Sequence, residues 1–155
     1  MKEAGQSGLN THRDIFPLTT VQALSRAYSL IEREISVHLR PFGLTPAKFN
    51  AMMVIRDLGM QSGISQIEIG NRLSVTASNM TRLLDKLEKE GYIERLPQEG
   101  DRRVNLIRIS RKGEDILKRA SPGYYEKMSS LGNLLDTGEL KHISSLLGKW
   151  CRRLG

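Results

Sequence analysis

The sequence predicts a mainly α fold with one small β-hairpin, and three observations carry that reading. Apolar residues recur at alternating three- and four-residue steps in runs at both ends and through the middle of the 155-residue chain. A Ser or Thr able to cap a helix stands at the head of several runs. Only after Gly91 does the pattern change, to two short β-branched or apolar runs around a charged turn.

Residues 1–14 are polar and Gly-containing and are expected to form a flexible arm before a single domain over 15–155. From Leu18 to Leu39 there is neither Gly nor Pro, and Val21, Leu24, Tyr28, Ile31 and Ile35 share one helical face. A long amphipathic helix over about 17–40 follows. Pro41-Phe42-Gly43 ends it, and Thr45-Pro46 supplies an N-cap and a first-turn proline for a helix to about Leu58. Ser65-Gln66-Ile67-Glu68 has capping-box spacing and opens a short helix to about Leu73. Thr76 can cap the next helix, with Met80, Leu83, Leu84 and Leu87 on its apolar face and Gly91 as its positive-φ stop.

Tyr92–Leu96 and Val104–Ile109 then read as a hairpin whose tip carries Asp101, Arg102 and Arg103. Ser110 can cap a helix from about Arg111, burying Ile116, Leu117, Ala120, Tyr124, Met128 and Leu131, with Pro122 expected to kink or divide it. Leu140, Ile143, Leu147, Trp150 and Leu154 form a last stripe suited to packing on another helix.

Lys and Arg number 24 against 17 Asp and Glu, a net charge of +7, so an anionic partner is expected: nucleic acid or an acidic membrane surface. No apolar run approaches the ~20 residues that span a bilayer, and the first ten residues hold no apolar signal core. The lone Cys151 cannot form an intramolecular disulfide, which suits a reducing compartment and implies the cytoplasm. His12, His38 and His142 lie in separate segments, so neither metal nor cofactor is expected. An enzyme is disfavoured, because no phosphate loop, nucleophile elbow or carboxylate pair stands in the required context.

Turning each residue from Ala77 to Glu90 by about 100 degrees puts Ser78, Arg82 and Lys89 opposite the leucine face, flanked by Asn79, Asp85 and Lys86. A helix fits the major groove of B-DNA, where Arg donates twice to guanine, Asn reads adenine, and Ser or Thr hydroxyls serve bases or phosphates. A short capped helix, a tight turn, a polar-faced second helix and a basic hairpin come in the order of a winged helix-turn-helix. The expected extents are 45–110 for the whole, 65–90 for the helix pair and 92–109 for the wing. Arg102 and Arg103 would cross the backbone into the minor groove, with Asp101 orienting an arginine. The alternative is a winged-helix module that binds protein or RNA without operator-specific DNA binding.

Leu44-Thr45, Ser65-Gln66-Ile67-Glu68-Ile69, the run Thr81 to Arg95 and Asp101-Arg102-Arg103 resemble successive blocks of the MarR family. The resemblance continues through Ile109-Ser110-Arg111-Lys112-Gly113. It implies a ligand-responsive, homodimeric repressor on a pseudo-palindromic site in double-stranded DNA. Carried over, it makes Thr76, Ser78, Asn79 and Arg82, with Lys86 beside them, groove contacts, Arg95 a backbone contact and Arg103 the minor-groove arginine. It places the dimer interface on the terminal helices, 17–40 and 111–155, through Val21, Leu24, Leu140, Ile143, Leu147, Trp150 and Leu154. It also implies a small anionic or aromatic effector between dimer helices and winged part, where His38, Phe49, Met52 and Met53 are the candidate lining.

Overall fold

A computed structural model describes residues 11–60, 62–97 and 105–154. Helix α1 is Thr11–Leu39 and begins inside the stretch expected to be an arm. Pro17 forfeits one i to i−4 hydrogen bond, yet the helix runs on past it. The chain then makes a 3-10 turn, Arg40–Phe42, closed by Gly43 at φ +68°.

Helix α2, Pro46–Gly59, starts as its sequence predicts, with the Thr45 hydroxyl accepting from the Lys48 amide at 3.3 Å. Strand β1, Ile64–Ser65, leads into helix α3, Gln66–Leu73, whose Ser65–Glu68 capping box is complete in both directions. Helix α4 is Ala77–Lys89; Thr76 occupies its N-cap position, but its side chain makes no capping hydrogen bond, contrary to expectation. Strands β2, Ile93–Pro97, and β3, Asn105–Ile109, form the hairpin.

The antiparallel sheet has order β1-β3-β2, so the expected two-stranded hairpin gains a third strand. Two residues are too few to show an alternating pattern, and β1 exists because Ile64 pairs with Ile107 and buries its side chain in the core. Helix α5, Arg111–Gly132, opens on the Ser110 hydroxyl, which accepts from the Gly113 amide at 3.0 Å. It runs undivided through Pro122, so the proline does not divide it; Pro122 faces solvent, where water can satisfy the carbonyl it leaves without a donor. Helix α6 is Thr137–Leu154.

The core joins α2, α3, α4, the sheet and the middle of α5. Phe49, Ala51, Met52 and Ile55 of α2 meet Ile69, Met80, Leu84, Leu87, Ile93, Ile107 and Leu117, all nearly or fully sealed from solvent. Gly113 lies where α5 crosses the start of β2: a Cβ there would collide with the Tyr92 carbonyl oxygen and come within 2.7 Å of Ile109. The two terminal helices differ from this core. Val21, Leu24, Tyr28 and Ile31 of α1 are exposed, and α6 has no buried residue.

Candidate nucleic-acid interface

Helix α4 is sharply two-faced. Met80, Leu84 and Leu87 are fully buried, while Ser78, Asn79, Arg82 and Lys86, together with Thr76 before the helix, are exposed. None of these five side chains has a hydrogen-bond or ion-pair partner among the described residues, so their donors and acceptors meet only solvent. Helix α3 braces α4: the Gln66 side-chain amide donates to the Thr81 hydroxyl at 2.6 Å. That hydroxyl in turn donates to the Ala77 carbonyl at 3.0 Å.

The far end of α4 is fixed to α5. Lys112 donates from Nζ to the Glu90 carbonyl, the Ser110 hydroxyl donates to the Gly91 carbonyl, each at 2.7 Å, and Gly91 takes φ +76° as its position predicts. With Met80, Leu84 and Leu87 held in the core, the polar side of α4 faces outward. Arg102 and Arg103, with Asp101, lie outside the described residues.

Arg95 does not stand free for a backbone contact. Its guanidinium bonds Asp85 of α4, and its Nε lies 3.3 Å from Glu88, although that second contact lacks hydrogen-bonding geometry. Arg95 therefore ties β2 to the solvent side of α4. Asp85 and Glu88 are three residues apart on one helical face, and Arg95 is the strand residue that neutralises both; spacing alone puts Asp85 on that face but says nothing of a partner ten residues away on a strand. At the base of the wing, Arg108 bonds Glu94 at 2.8 Å across the register pair.

Two of the four residues expected to line an effector site lie in the core. Phe49 and Met52 are fully buried and Phe49 packs on Tyr124, with ring centroids 4.5 Å apart, so both belong to the core of the single chain. Burial holds the Tyr124 hydroxyl above its usual pKa, with Tyr125 adding to the shift. Met53 contacts the Ser121 hydroxyl at 3.9 Å. His38 packs at the α1–α5 junction, with Nε2 3.1 Å from the Ala120 carbonyl and its ring 5.7 Å from Phe42. A cleft of 190 Å³ does lie between α1 and the winged part, but it is lined by Tyr28, Glu32, Pro46, Ala47, Asn50, Leu73, Val75 and Leu83.

Among the described residues no group of His, Cys, Asp and Glu is arranged to hold a metal, and no helix is long and apolar enough to cross a membrane.

Known proteins share this arrangement. The family model described as MarR matches residues 44–104, from the start of α2 to the wing. The regulator PecS of Dickeya dadantii is 29% identical over 136 residues, covering 88% of this chain and 82% of that protein. An HTH-type transcriptional regulator of Bacillus cereus is 33% identical over 112 residues, 72% of each chain. Among solved structures, a mutant MarR from E. coli complexed with operator DNA superposes with a TM-score of 0.79 at 26% identity, covering 91% of this chain and 98% of that one. The transcriptional repressor CouR bound to a DNA duplex gives 0.75 at 27% identity, covering 83% and 89%. The chain therefore belongs to the MarR family of winged helix-turn-helix transcription regulators.

Proposed function

We propose that the protein is a cytoplasmic, homodimeric, ligand-responsive repressor that reads a pseudo-palindromic operator in double-stranded DNA. The observation that carries the DNA reading is the exposed, internally unpartnered polar face of α4, mounted on a buried leucine and methionine face. Ser78, Asn79 and Arg82 face base edges, Thr76 and Lys86 serve phosphates, and Arg102 and Arg103 with Asp101 act in the minor groove. Arg95 acts by holding α4 rather than by touching the duplex.

Residues 15–155 work as one unit, with the winged part at about 45–110 between dimerisation helices at about 17–40 and 111–155. The exposed Val21, Leu24, Ile143 and Leu154 and the half-buried Leu140, Leu147 and Trp150 of α1 and α6 support a second copy as their cover. A two-fold axis would then set two α4 helices about 34 Å apart, one turn of duplex. The effector site moves to the cleft beside Tyr28. Glu32 is the charged residue of its lining, which favours an aromatic ligand that is neutral or bears hydrogen-bond donors over an anion.

Selection from a pool of random duplexes tests the proposal. The expected product is one inverted repeat with half-sites about one helical turn apart. Recovery of no enriched sequence would refute operator reading, and a single unrepeated half-site would refute the dimer.

A further inference from the structure

Lys48, the third residue of α2, is 6% exposed, and its Nζ lies 2.7 Å from both carboxylate oxygens of Glu90. Each charge is at the unfavourable end of its own helix. A cation in the first turn of α2 meets the positive end of that helix dipole, and an anion at the C-cap of α4 meets the negative end. Neither residue therefore serves the helix that carries it. Burying an ammonium is also expensive, and a well-packed apolar pair often holds two helices together as firmly as an ion pair.

What an apolar contact lacks is direction. Two short hydrogen bonds from one ammonium to both oxygens fix where the end of α4 sits against α2. Glu90 also gives its carbonyl to Lys112, so the last turn of α4 is held from α2 on one side and α5 on the other. The thirteen residues of α4 span about 20 Å, so a tilt of about 5 degrees at this anchor moves the N-terminal residues by about 2 Å. A shift of that size exceeds the tolerance of a hydrogen bond to a base edge.

We infer that the Lys48–Glu90 pair is a positioning device that sets the angle at which α4 presents Ser78, Asn79 and Arg82, and so sets preference for one DNA sequence over others. The inference rests on α4 being the DNA-reading helix. Phosphate attraction depends little on that angle, so the pair governs specific binding and leaves non-specific binding alone. Ala47 and Asn50, which line the cleft beside Tyr28, flank Lys48 in α2, so the anchor joins that cleft's wall to the reading helix.

The test uses the full chain, the selected operator duplex and a scrambled duplex of equal length, with melting temperatures recorded alongside. Wild type, Lys48→Met, Glu90→Gln and the double variant are compared by fluorescence anisotropy. Each single variant should lose about tenfold in preference for the operator over the scrambled duplex, the cost of about one mismatched base pair, on top of the common shift that its changed net charge imposes on both duplexes. The double variant should lose no more than either single one, because both act through the same bond. The inference is overturned if the single variants keep operator preference, if their losses add in the double variant, or if both duplexes weaken in step with the melting temperature. A wild type with no preference between the duplexes would instead remove the DNA-reading assignment, and this inference with it.

Discussion

Replacing Ile143 tests whether a second copy covers α6. Ile143 remains 42% exposed in the isolated chain. Complete burial of such a side chain is worth about 2–3 kcal/mol, so about 1 kcal/mol remains to be gained by association. A two-fold interface contains the residue twice, and Ile143→Ala should therefore weaken dimerisation by about 2 kcal/mol, about thirtyfold in the dissociation constant. Ile143→Asp should do far more, because an unpaired carboxylate would be buried at the same place. Sedimentation equilibrium gives the constant, and circular dichroism should show unchanged helix content, since α6 lends no buried residue to the core. A wild type that stays monomeric at all accessible concentrations, or an Ile143→Asp variant that dimerises like wild type, would mean that no second copy covers α6.

Gly113→Ala should destabilise the fold by about 1–3 kcal/mol, since the added methyl meets the Tyr92 backbone and Ile109, an overpacking loss that outweighs the roughly 1 kcal/mol helix-propensity gain; urea unfolding checks it. Arg95→Ala should weaken binding to every duplex by about tenfold while costing no more than about 1 kcal/mol of stability, because it leaves Asp85 and Glu88 unneutralised on the helix facing phosphate. Anisotropy and thermal melting separate the two effects. Hydrogen bonds from Ser65 hold the Glu68 carboxyl below its usual 4.5, so the capping box contributes fully above that pH and fades as pH falls through the lowered folded value. Ser65→Ala should remove this acid-sensitive part, seen as a flatter dependence of melting temperature between pH 3 and 5.

The helices were legible because caps and period agree: Thr45, Ser65 and Ser110 each accept the amide their spacing predicts. The polar face of α4 was legible for the same reason, since a helix that buries Met80, Leu84 and Leu87 must turn Ser78 and Arg82 outward. Contacts between segments distant in sequence were not. Lys48 and Glu90 are 42 residues apart, and nothing in either neighbourhood announces the other. Strand β1 was missed because pairing with β3, not local propensity, makes Ile64–Ser65 a strand. Phe49 and Met52 were assigned to a cleft because an apolar helical face reads the same whether it borders a cavity or fills a core.

Arg82→Ala on the selected operator shows whether α4 reads DNA sequence. Arg82 has no internal partner among the described residues, so its removal should leave stability within about 0.5 kcal/mol. Loss of a bidentate base contact of about 1–3 kcal/mol should cost operator affinity about five- to 150-fold, with scrambled-duplex affinity falling only by its share of phosphate attraction. An Arg82→Ala variant that binds the operator as tightly as wild type, with undiminished preference over the scrambled duplex, would mean that α4 does not read the sequence through this side chain.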